Sequence, residues 1–370
     1  FNNSNVLVIS NFGVKEGSVE IEAFGNQNLR IPYAAVMAVY ESKKSINMVH
    51  TYARNHSLIE LEESNAITKA KESCWTIKPS FENKAVFHNG HLITNKQIAK
   101  IILNNQNGKE ISKNFLIPEL KPFETFIFDI KKIFPKFRKF LSNKNGFATL
   151  HFKNSSSFTR LLLCWSSRNN EEFQTTHSNF DYSNYLTNKV KTKKGGEMTI
   201  PKLPNNIQNL ELIVYPKFEK GKYFCKFDNG ERKNFSKGFI KPLNNNINKV
   251  NFFSKKNYIP SRIVTGMSGA LLNQKIPFEC SMGINHENAR KKRFGWALVS
   301  GKNINLISIN RISIINEDYS KLFTFKLYNC SNKKILTRVK NLNLGNENRT
   351  FLDLKKIFPN YKKFLGKNYG

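Results

Sequence analysis

The sequence predicts a mostly β chain of two homologous tandem domains, each an antiparallel β-sandwich-like domain with a short helical corner. Three observations predict this fold class: one segment occurs twice, short apolar runs alternate with Asn-Gly turns, and the repeated segment has helical spacing. The chain has 370 residues, 39% of them hydrophobic, so it is long and apolar enough for two or three cores.

The repeated segment indicates a duplication. Residues 129–146 read DIKKIFPKFRKFLSNKNG and residues 353–370 read DLKKIFPNYKKFLGKNYG, with ten of eighteen positions identical at an offset of 224. The match continues upstream at the same offset, for example from Leu103 to Leu327. A period of this length is typical of duplicated domains and not of the short repeats of solenoids.

The repeat predicts the bounds of two domains and of the linker between them. We predict copy one over residues 1–185 and copy two over residues 200–370. Residues 186–199 between them are largely polar and basic and contain a Gly-Gly pair, a composition typical of a linker. Copy one continues past its corner into FATLHF, whereas copy two stops at Gly370. We therefore expect copy two to be truncated at its C-terminal end and the chain to be a fragment.

Asn-Gly dipeptides predict the hairpins, because a type I′ turn needs a positive φ at both central residues. One predicted hairpin joins residues 85–88 to residues 91–94 across Asn89-Gly90. A second joins residues 99–105 to residues 109–116 across Asn107-Gly108. Many short strands with regular turns favour an antiparallel sandwich or barrel over a βαβ fold.

The repeated segment is the helical part of each copy. Asp129 is placed to be an N-cap, and Pro135 disfavours one continuous helix, so we predict two short helical turns, the second opening with the proline. The apolar residues recur at the spacing of one helical face, which predicts that they are buried. They are Ile130, Ile133, Phe134, Phe137 and Leu141.

The formal net charge is +32, which favours an anionic partner such as nucleic acid, anionic lipid or an acidic polysaccharide. Heavy use of Lys, Asn, Ile and Phe is also expected of an AT-rich genome, so part of the charge has a compositional explanation. Two kinds of basic patch stand out, on the polar faces of the corners and in the run ARKKRFGW; the alternative is that they are solvated surface. Their members are Lys131, Lys132, Lys355 and Lys356 in the corners, and Arg290, Lys291, Lys292 and Arg293 in the run.

A second group of candidate ligand-binding residues is polar. His88 and His91 bracket the Asn89-Gly90 turn, so a two-residue hairpin would make them a cross-strand pair. His177 and Asp181 belong to a polar stretch, TTHSNFDYSN, that suits either a binding loop or a solvated connection. Nothing in the spacing selects a third metal ligand, so we predict neither a metal site nor a cofactor.

We interpret the chain as a non-catalytic binding or assembly module whose partner is an anionic polymer or a polysaccharide. One alternative is an enzyme or enzyme subunit that uses the histidine group, and another is a nucleic-acid-binding protein that uses the basic patches. No apolar run reaches the length of a membrane span. The five cysteines contain no CxxC pair and argue against a disulfide framework, which favours a cytoplasmic location.

Overall fold

The computed structural model describes residues 37–42, 44–50, 72–152, 160–169, 171–179, 194–216, 223–244, 247–254, 265–282, 297–310, 320–332, 334–343 and 349–370. These residues are mostly β, arranged in small antiparallel sheets. Strands β1 (Met37–Glu41) and β2 (Ile46–His50) form a hairpin. No disulfide joins the five cysteines, all of which lie in the described part of the chain.

Residues 72–179, here called the first unit, contain two four-stranded sheets with the orders β3-β8-β5-β6 and β10-β9-β4-β7. One apolar cluster takes side chains from both sheets, including Trp75, Phe87, Leu103 and Trp165, each at most 1% exposed. The elements are β3 (Glu72–Ile77), β4 (Glu82–His88), β5 (Gln97–Asn104), β6 (Glu110–Ile117), β7 (Thr125–Asp129), α1 (Ile130–Ile133), α2 (Phe137–Phe140), β8 (Gly146–His151), β9 (Leu162–Ser166) and β10 (Phe173–His177).

Residues 194–282, the middle unit, also contain two four-stranded sheets, with the orders β11-β16-β13-β14 and β15-β12-β17-β18. A second apolar cluster again takes residues from both sheets, including Leu212, Phe227, Phe252 and Met267. The strands are β11 (Lys194–Thr199), β12 (Ile207–Val214), β13 (Tyr223–Phe227), β14 (Arg232–Phe235), β15 (Phe239–Pro242), β16 (Lys249–Ser254), β17 (Thr265–Leu271) and β18 (Phe278–Met282).

Residues 297–370, the C-terminal unit, contain two antiparallel strand pairs, β19 with β22 and β20 with β21, and two short helices. Leu327, Leu354 and Tyr361 belong to a third apolar cluster. The elements are β19 (Leu306–Asn310), β20 (Ser320–Tyr328), β21 (Ile335–Asn343), β22 (Arg349–Asp353), α3 (Leu354–Ile357) and α4 (Tyr361–Leu365).

The predicted helical turns are confirmed in both repeated segments. We call residues 129–146 the first corner and residues 353–370 the second corner. The Asp129 carboxylate accepts from the backbone N–H groups that follow it, so it is the predicted N-cap of α1. Pro135 lies between the two helices instead of opening the second. Four of the five residues of the predicted helical face are buried, with Ile130, Phe137 and Leu141 at most 2% exposed and Phe134 7% exposed, whereas Ile133 is only partly buried.

The hairpin predicted across Asn107-Gly108 is confirmed, because β5 and β6 pair on either side of it. The hairpin predicted across Asn89-Gly90 is wrong, because β4 pairs with β7 and β9, and His88 lies opposite Thr125. The physical reason is the buried Asn89 side chain. Its amide donates to three backbone carbonyls, and its oxygen accepts from Thr94, so it stabilises a loop instead of a two-residue turn.

The segment predicted as a linker, residues 186–199, ends in strand β11, which occupies its last six residues. In this strand Thr199 pairs with Lys249 and Met198 pairs with Val250. Met198 is fully buried in the core of the middle unit. The last six residues of the predicted linker therefore belong to a sheet, and the rest of that segment lies outside the described residues.

Candidate functional site

The first corner forms one side of a cleft of about 480 Å³ on the first unit. Sheet register brings its walls together, because Glu82 lies opposite Ser166 on β9 and Lys84 lies opposite Asp129 at the end of β7. Helix α1 follows Asp129 directly, so its lysines reach the same cleft. The lining residues are Glu82, Lys84, Asp129, Lys131, Lys132, Pro135, Ser166 and Arg168.

Both carboxylates of the cleft are already engaged. Asp129 accepts from the backbone N–H of Lys131 at 3.0 Å and of Lys132 at 3.4 Å as the helix N-cap. Glu82 accepts from the guanidinium of Arg138 at 3.3 Å, and Arg138 is also held by the carbonyl of Pro79 at 2.8 Å. These contacts fix both side chains, and the charges of the two acids offset only part of the charge of the four cations that face the cleft.

Four cationic side chains converge on this cleft and all four are exposed. Within the described residues, no carboxylate lies within ion-pair distance of any of them. They are Lys84, Lys131, Lys132 and Arg168. A planar guanidinium beside mobile ammonium groups suits the oxygens of carboxylate, sulfate or phosphate. The cleft can therefore bind an anionic group.

The second corner is built on the same frame as the first. In the first unit Asn83 accepts from the N–H of Lys78 at 2.8 Å and donates to the carbonyl of Lys78 at 2.9 Å. In the C-terminal unit Asn305 accepts from the N–H of Ser300 at 2.8 Å and donates to its carbonyl at 2.7 Å. The residue that directly follows each asparagine lies opposite a helix-capping aspartate: Lys84 pairs with Asp129, and Leu306 pairs with Asp353.

The surfaces over the two frames differ. Ile304 and Leu306 stand in the C-terminal unit at the positions that Glu82 and Lys84 occupy in the first unit. Ile304 is 72% exposed and Leu306 is 42% exposed. The predicted basic residues Lys355 and Lys356 follow Asp353 on α3 and are also exposed. The second corner therefore combines lysines with exposed aliphatic side chains.

The structure does not bring the predicted histidine group together. His88 stacks on Phe123 with ring centroids 6.5 Å apart, and burial lowers its pKa. His91 is exposed in the loop after β4. His177 is 7% exposed at the end of β10, where its Nδ1 lies 3.0 Å from the carbonyl of Ser178. Strand β9 separates β10 from β4, so the two strands are about 10 Å apart.

Several predicted site residues lie outside the described residues. They are Asp181, Arg290, Lys291, Lys292 and Arg293. In the part of the chain that the structure describes, no three His, Cys, Asp or Glu side chains are grouped so that they could hold a metal ion.

A buried charged cluster joins the first and middle units, and sequence reasoning missed it. The ammonium of Lys78 lies 2.7 Å from a carboxylate oxygen of Glu279, with side chains 2% and 1% exposed. Glu279 also accepts from the hydroxyls of Thr76 at 2.5 Å and Tyr215 at 2.6 Å. Lys78 lies 3.8 Å from the ring centroid of Trp165.

This cluster can hold the two units together because every charge in it has partners. Burial, followed by the nearby Glu279 carboxylate, raises the pKa of Tyr215 well above its ordinary value, so its hydroxyl stays protonated and donates. Removing one partner of such a pair leaves an uncompensated buried charge. No local signal in the sequence could have paired Lys78 with Glu279, because about 200 residues separate them.

Every helix found in the described residues is too short or too polar to cross a bilayer. No protein-family model matches the chain, and no curated protein matches it closely enough to be called a relative.

Proposed function

We propose that the chain is a non-catalytic binding or assembly module, built from tandem copies of one β-sandwich domain, that binds an anionic polysaccharide-like polymer at the first corner. The observation that carries the proposal is the convergence of four cationic side chains on one open cleft whose two carboxylates are already engaged. The net charge of +32 favours the same class of partner.

The strand orders support the tandem copies. Taken in chain order, the eight strands β3 to β10 and the eight strands β11 to β18 occupy the same places in their two sheets. In each unit one apolar cluster takes side chains from both sheets. A shared arrangement of eight strands with one common apolar cluster favours duplication of one sandwich domain.

The pairing registers support a third, partial copy in the C-terminal unit. Ile77 pairs with Gly146 in the first unit, and the N–H of Val299 bonds the carbonyl of Gly370 at 2.8 Å in the C-terminal unit. We therefore propose three copies between residues 72 and 370, in place of the predicted copies over 1–185 and 200–370. The repeat at an offset of 224 then links the first copy to the third.

Tandem copies can increase the affinity for a polymer. When one site has bound the polymer, the effective concentration of that polymer at a linked second site is raised. The buried Lys78–Glu279 pair supports a fixed geometry between the first and middle units. If a long anionic chain also contacts basic side chains of the middle unit, this fixed geometry should give it a higher affinity than a short fragment carrying the same charged group.

The test measures binding of heparin, polygalacturonate and duplex DNA to the whole chain as the salt concentration is varied. The variant Lys131→Gln/Lys132→Gln should weaken binding to the preferred polymer about tenfold and reduce the salt slope by about 2, because two anion contacts are lost. Both side chains are exposed, so the fold should be unaffected.

A matched control keeps the total charge change constant. Lys136 and Lys139 are exposed on the same corner but do not line the cleft. Lys136→Gln/Lys139→Gln should therefore change binding much less. Equal losses in both variants would indicate diffuse attraction by net charge and would overturn the cleft assignment, as would binding that does not change with salt.

A further inference from the structure

We propose that the second corner binds the surface of membranes that contain anionic lipids. Ile304 and Leu306 enter the interfacial layer, and the lysines of α3 and α4 contact the headgroups. This proposal does not depend on polymer binding at the first corner. It concerns a different unit, different side chains and a different class of partner.

Aliphatic side chains replace charged ones on the outer surface of the second corner. At the positions of Glu82 and Lys84, which line the cleft of the first unit, the C-terminal unit carries Ile304 and Leu306. With 72% of Ile304 exposed, its side chain contributes little to the core. Single exposed aliphatics are common on protein surfaces, so the inference depends on what surrounds these two.

Backbone contacts hold this aliphatic pair against the helices. The carbonyl of Asn305, between Ile304 and Leu306, accepts from the N–H of Leu354 at 2.9 Å. The carbonyl of Asn303 accepts from the hydroxyl of Tyr361 at 2.6 Å. The aliphatic pair is therefore anchored to the first residues of both α3 and α4, and its position relative to their lysines is fixed.

The surface around this aliphatic pair is mainly basic. The described residues of the C-terminal unit contain twelve Lys or Arg and one acid, Asp353, and Glu41 of β1 adds a second acid that pairs with Lys302 at 3.7 Å. Asp353 caps α3 by accepting from the N–H of Lys355 at 2.8 Å. On the corner itself, exposed lysines follow the caps of both helices, and Lys340 reaches the corner by donating to the carbonyl of Lys356. These corner lysines are Lys355, Lys356, Lys362 and Lys363.

The aliphatic pair favours a lipid surface over a soluble polyanion as the partner. A hydrated polymer can pair with the lysines, but it offers no apolar phase for Ile304 and Leu306. The interfacial layer of an anionic membrane offers both, since apolar side chains are buried near the acyl chains while basic groups meet the negative surface potential. Neither contribution is large alone, and their combination at one corner favours lipid.

The test is cosedimentation of the whole chain with vesicles of phosphatidylcholine, with and without phosphatidylserine. Binding should require phosphatidylserine. Ile304→Ser/Leu306→Ser should weaken it about tenfold through lost apolar burial, and Lys355→Gln/Lys356→Gln should weaken it about twentyfold, since each lysine contributes about fivefold near an anionic surface. All four side chains are exposed, so the melting temperature should change little.

The matched control is Leu322→Ser/Val339→Ser. These side chains are 75% and 57% exposed on β20 and β21, and they lie on the face of this strand pair opposite to Lys340, which contacts the corner. This control should bind vesicles like the unsubstituted chain. Equal loss in both apolar variants, no loss in Ile304→Ser/Leu306→Ser, or equal binding to vesicles without phosphatidylserine would overturn the proposal.

Heparin binding by the same variants separates this proposal from the previous one. Ile304→Ser/Leu306→Ser should leave heparin binding unchanged. If both the apolar and the lysine variants of the second corner lose heparin binding and none loses vesicle binding, the second corner binds polymers instead of lipid. If vesicle binding follows this account while Lys131→Gln/Lys132→Gln has no effect on any polymer, the polymer proposal fails alone.

Discussion

The first and second corners are built from the same hydrogen bonds but present different outer surfaces. The N–H of Phe134 bonds the carbonyl of Ile130 at 2.8 Å, and the N–H of Phe358 bonds the carbonyl of Leu354 at 2.8 Å. Over these frames, four cations and two engaged acids surround a cleft on the first unit, whereas lysines flank exposed Ile304 on the C-terminal unit. The shared backbone hydrogen bonds therefore determine the local fold of both corners. The outer side chains take no part in these bonds and can differ between the two corners.

Each corner ends in a glycine that packs closely against neighbouring residues. A Cβ at Gly146 would lie 2.6 Å from the carbonyl oxygen of Asn104 and 2.5 Å from a methyl of Leu141. A Cβ at Gly370 would meet the carbonyl of Tyr328 and a methyl of Leu365 in the same way. Both corners therefore need glycine for close approach to the strand that precedes the hairpin turn.

The largest expected effect tests whether both corners fill a core. Phe137→Ala and Tyr361→Ala should each destabilise their own unit by about 3 to 5 kcal/mol, because each removes a large side chain at most 2% exposed. Amide hydrogen exchange, followed unit by unit, measures the local opening free energy. The control Lys136→Ala should change it by less than about 0.5 kcal/mol. If either alanine variant left the local opening free energy unchanged, the conclusion that both corners fill a core would be wrong.

The next largest effect is expected from two variants that exchange the outer side chains of the corners. Glu82→Ile/Lys84→Leu should give the first corner the apolar character of the second, and Ile304→Glu/Leu306→Lys should do the reverse. We expect affinity for phosphatidylserine vesicles to fall about tenfold in the second variant and to rise in the first, because the backbone frame is kept. In the first variant Arg138 loses its Glu82 partner but keeps its hydrogen bond to the carbonyl of Pro79. Vesicle cosedimentation measures both. An exchange that leaves both preferences unaltered would show that the outer surfaces do not set the partner.

A smaller effect concerns the two helix caps. Asp129→Ala and Asp353→Ala should each cost about 1 kcal/mol of local stability, since each removes the acceptor that satisfies N–H groups of the first turn. Asn at either position should restore most of this stability, because its side-chain oxygen also accepts. At the first corner Asp129→Asn should additionally strengthen polymer binding by removing a negative charge. Hydrogen exchange of the helical turns and the polymer assay distinguish the two consequences.

The smallest effect is a pH dependence confined to the first unit. Burial lowers the pKa of His88 and of His151 below the ordinary value of 6.5. Below about pH 6.5 the unfolded chain binds more protons than the folded unit, so the free energy of unfolding decreases as the pH falls. The C-terminal unit contains no histidine, so its stability should not change in this range. Hydrogen exchange of both units at pH 7 and pH 5 makes the comparison, and His88→Gln should reduce the effect.

Local patterns predicted the corners well. The spacing of Ile130, Phe137 and Leu141 identified the buried face, and Asp129 identified the cap, because all these interactions lie within one short segment. The Asn107-Gly108 hairpin was predictable for the same reason. The Asn89-Gly90 hairpin was not, because tertiary hydrogen bonds from the buried Asn89 side chain override the turn preference of the dipeptide.

Features that depend on distant residues could not be predicted. The middle unit shares its strand order with the first unit, but only six residues connect β15 to β16, so the corner motif that reveals the repeat does not occur there. The Lys78–Glu279 pair joins two units and leaves no trace in either local sequence. The basic character of both corners was predicted, but the exposure of Ile304 and Leu306 was not, because it depends on how the loop before β19 contacts Ser300 and the distant residue Leu354.

The central claim, that one repeated frame carries two different surfaces, is tested most directly by hydrogen exchange of the whole chain with each partner. Heparin should protect the cleft around residues 82–84 and 129–132, and phosphatidylserine vesicles should protect residues 304–306 and 354–363. Protection of the same corner by both partners, or of neither corner by either, would contradict the account.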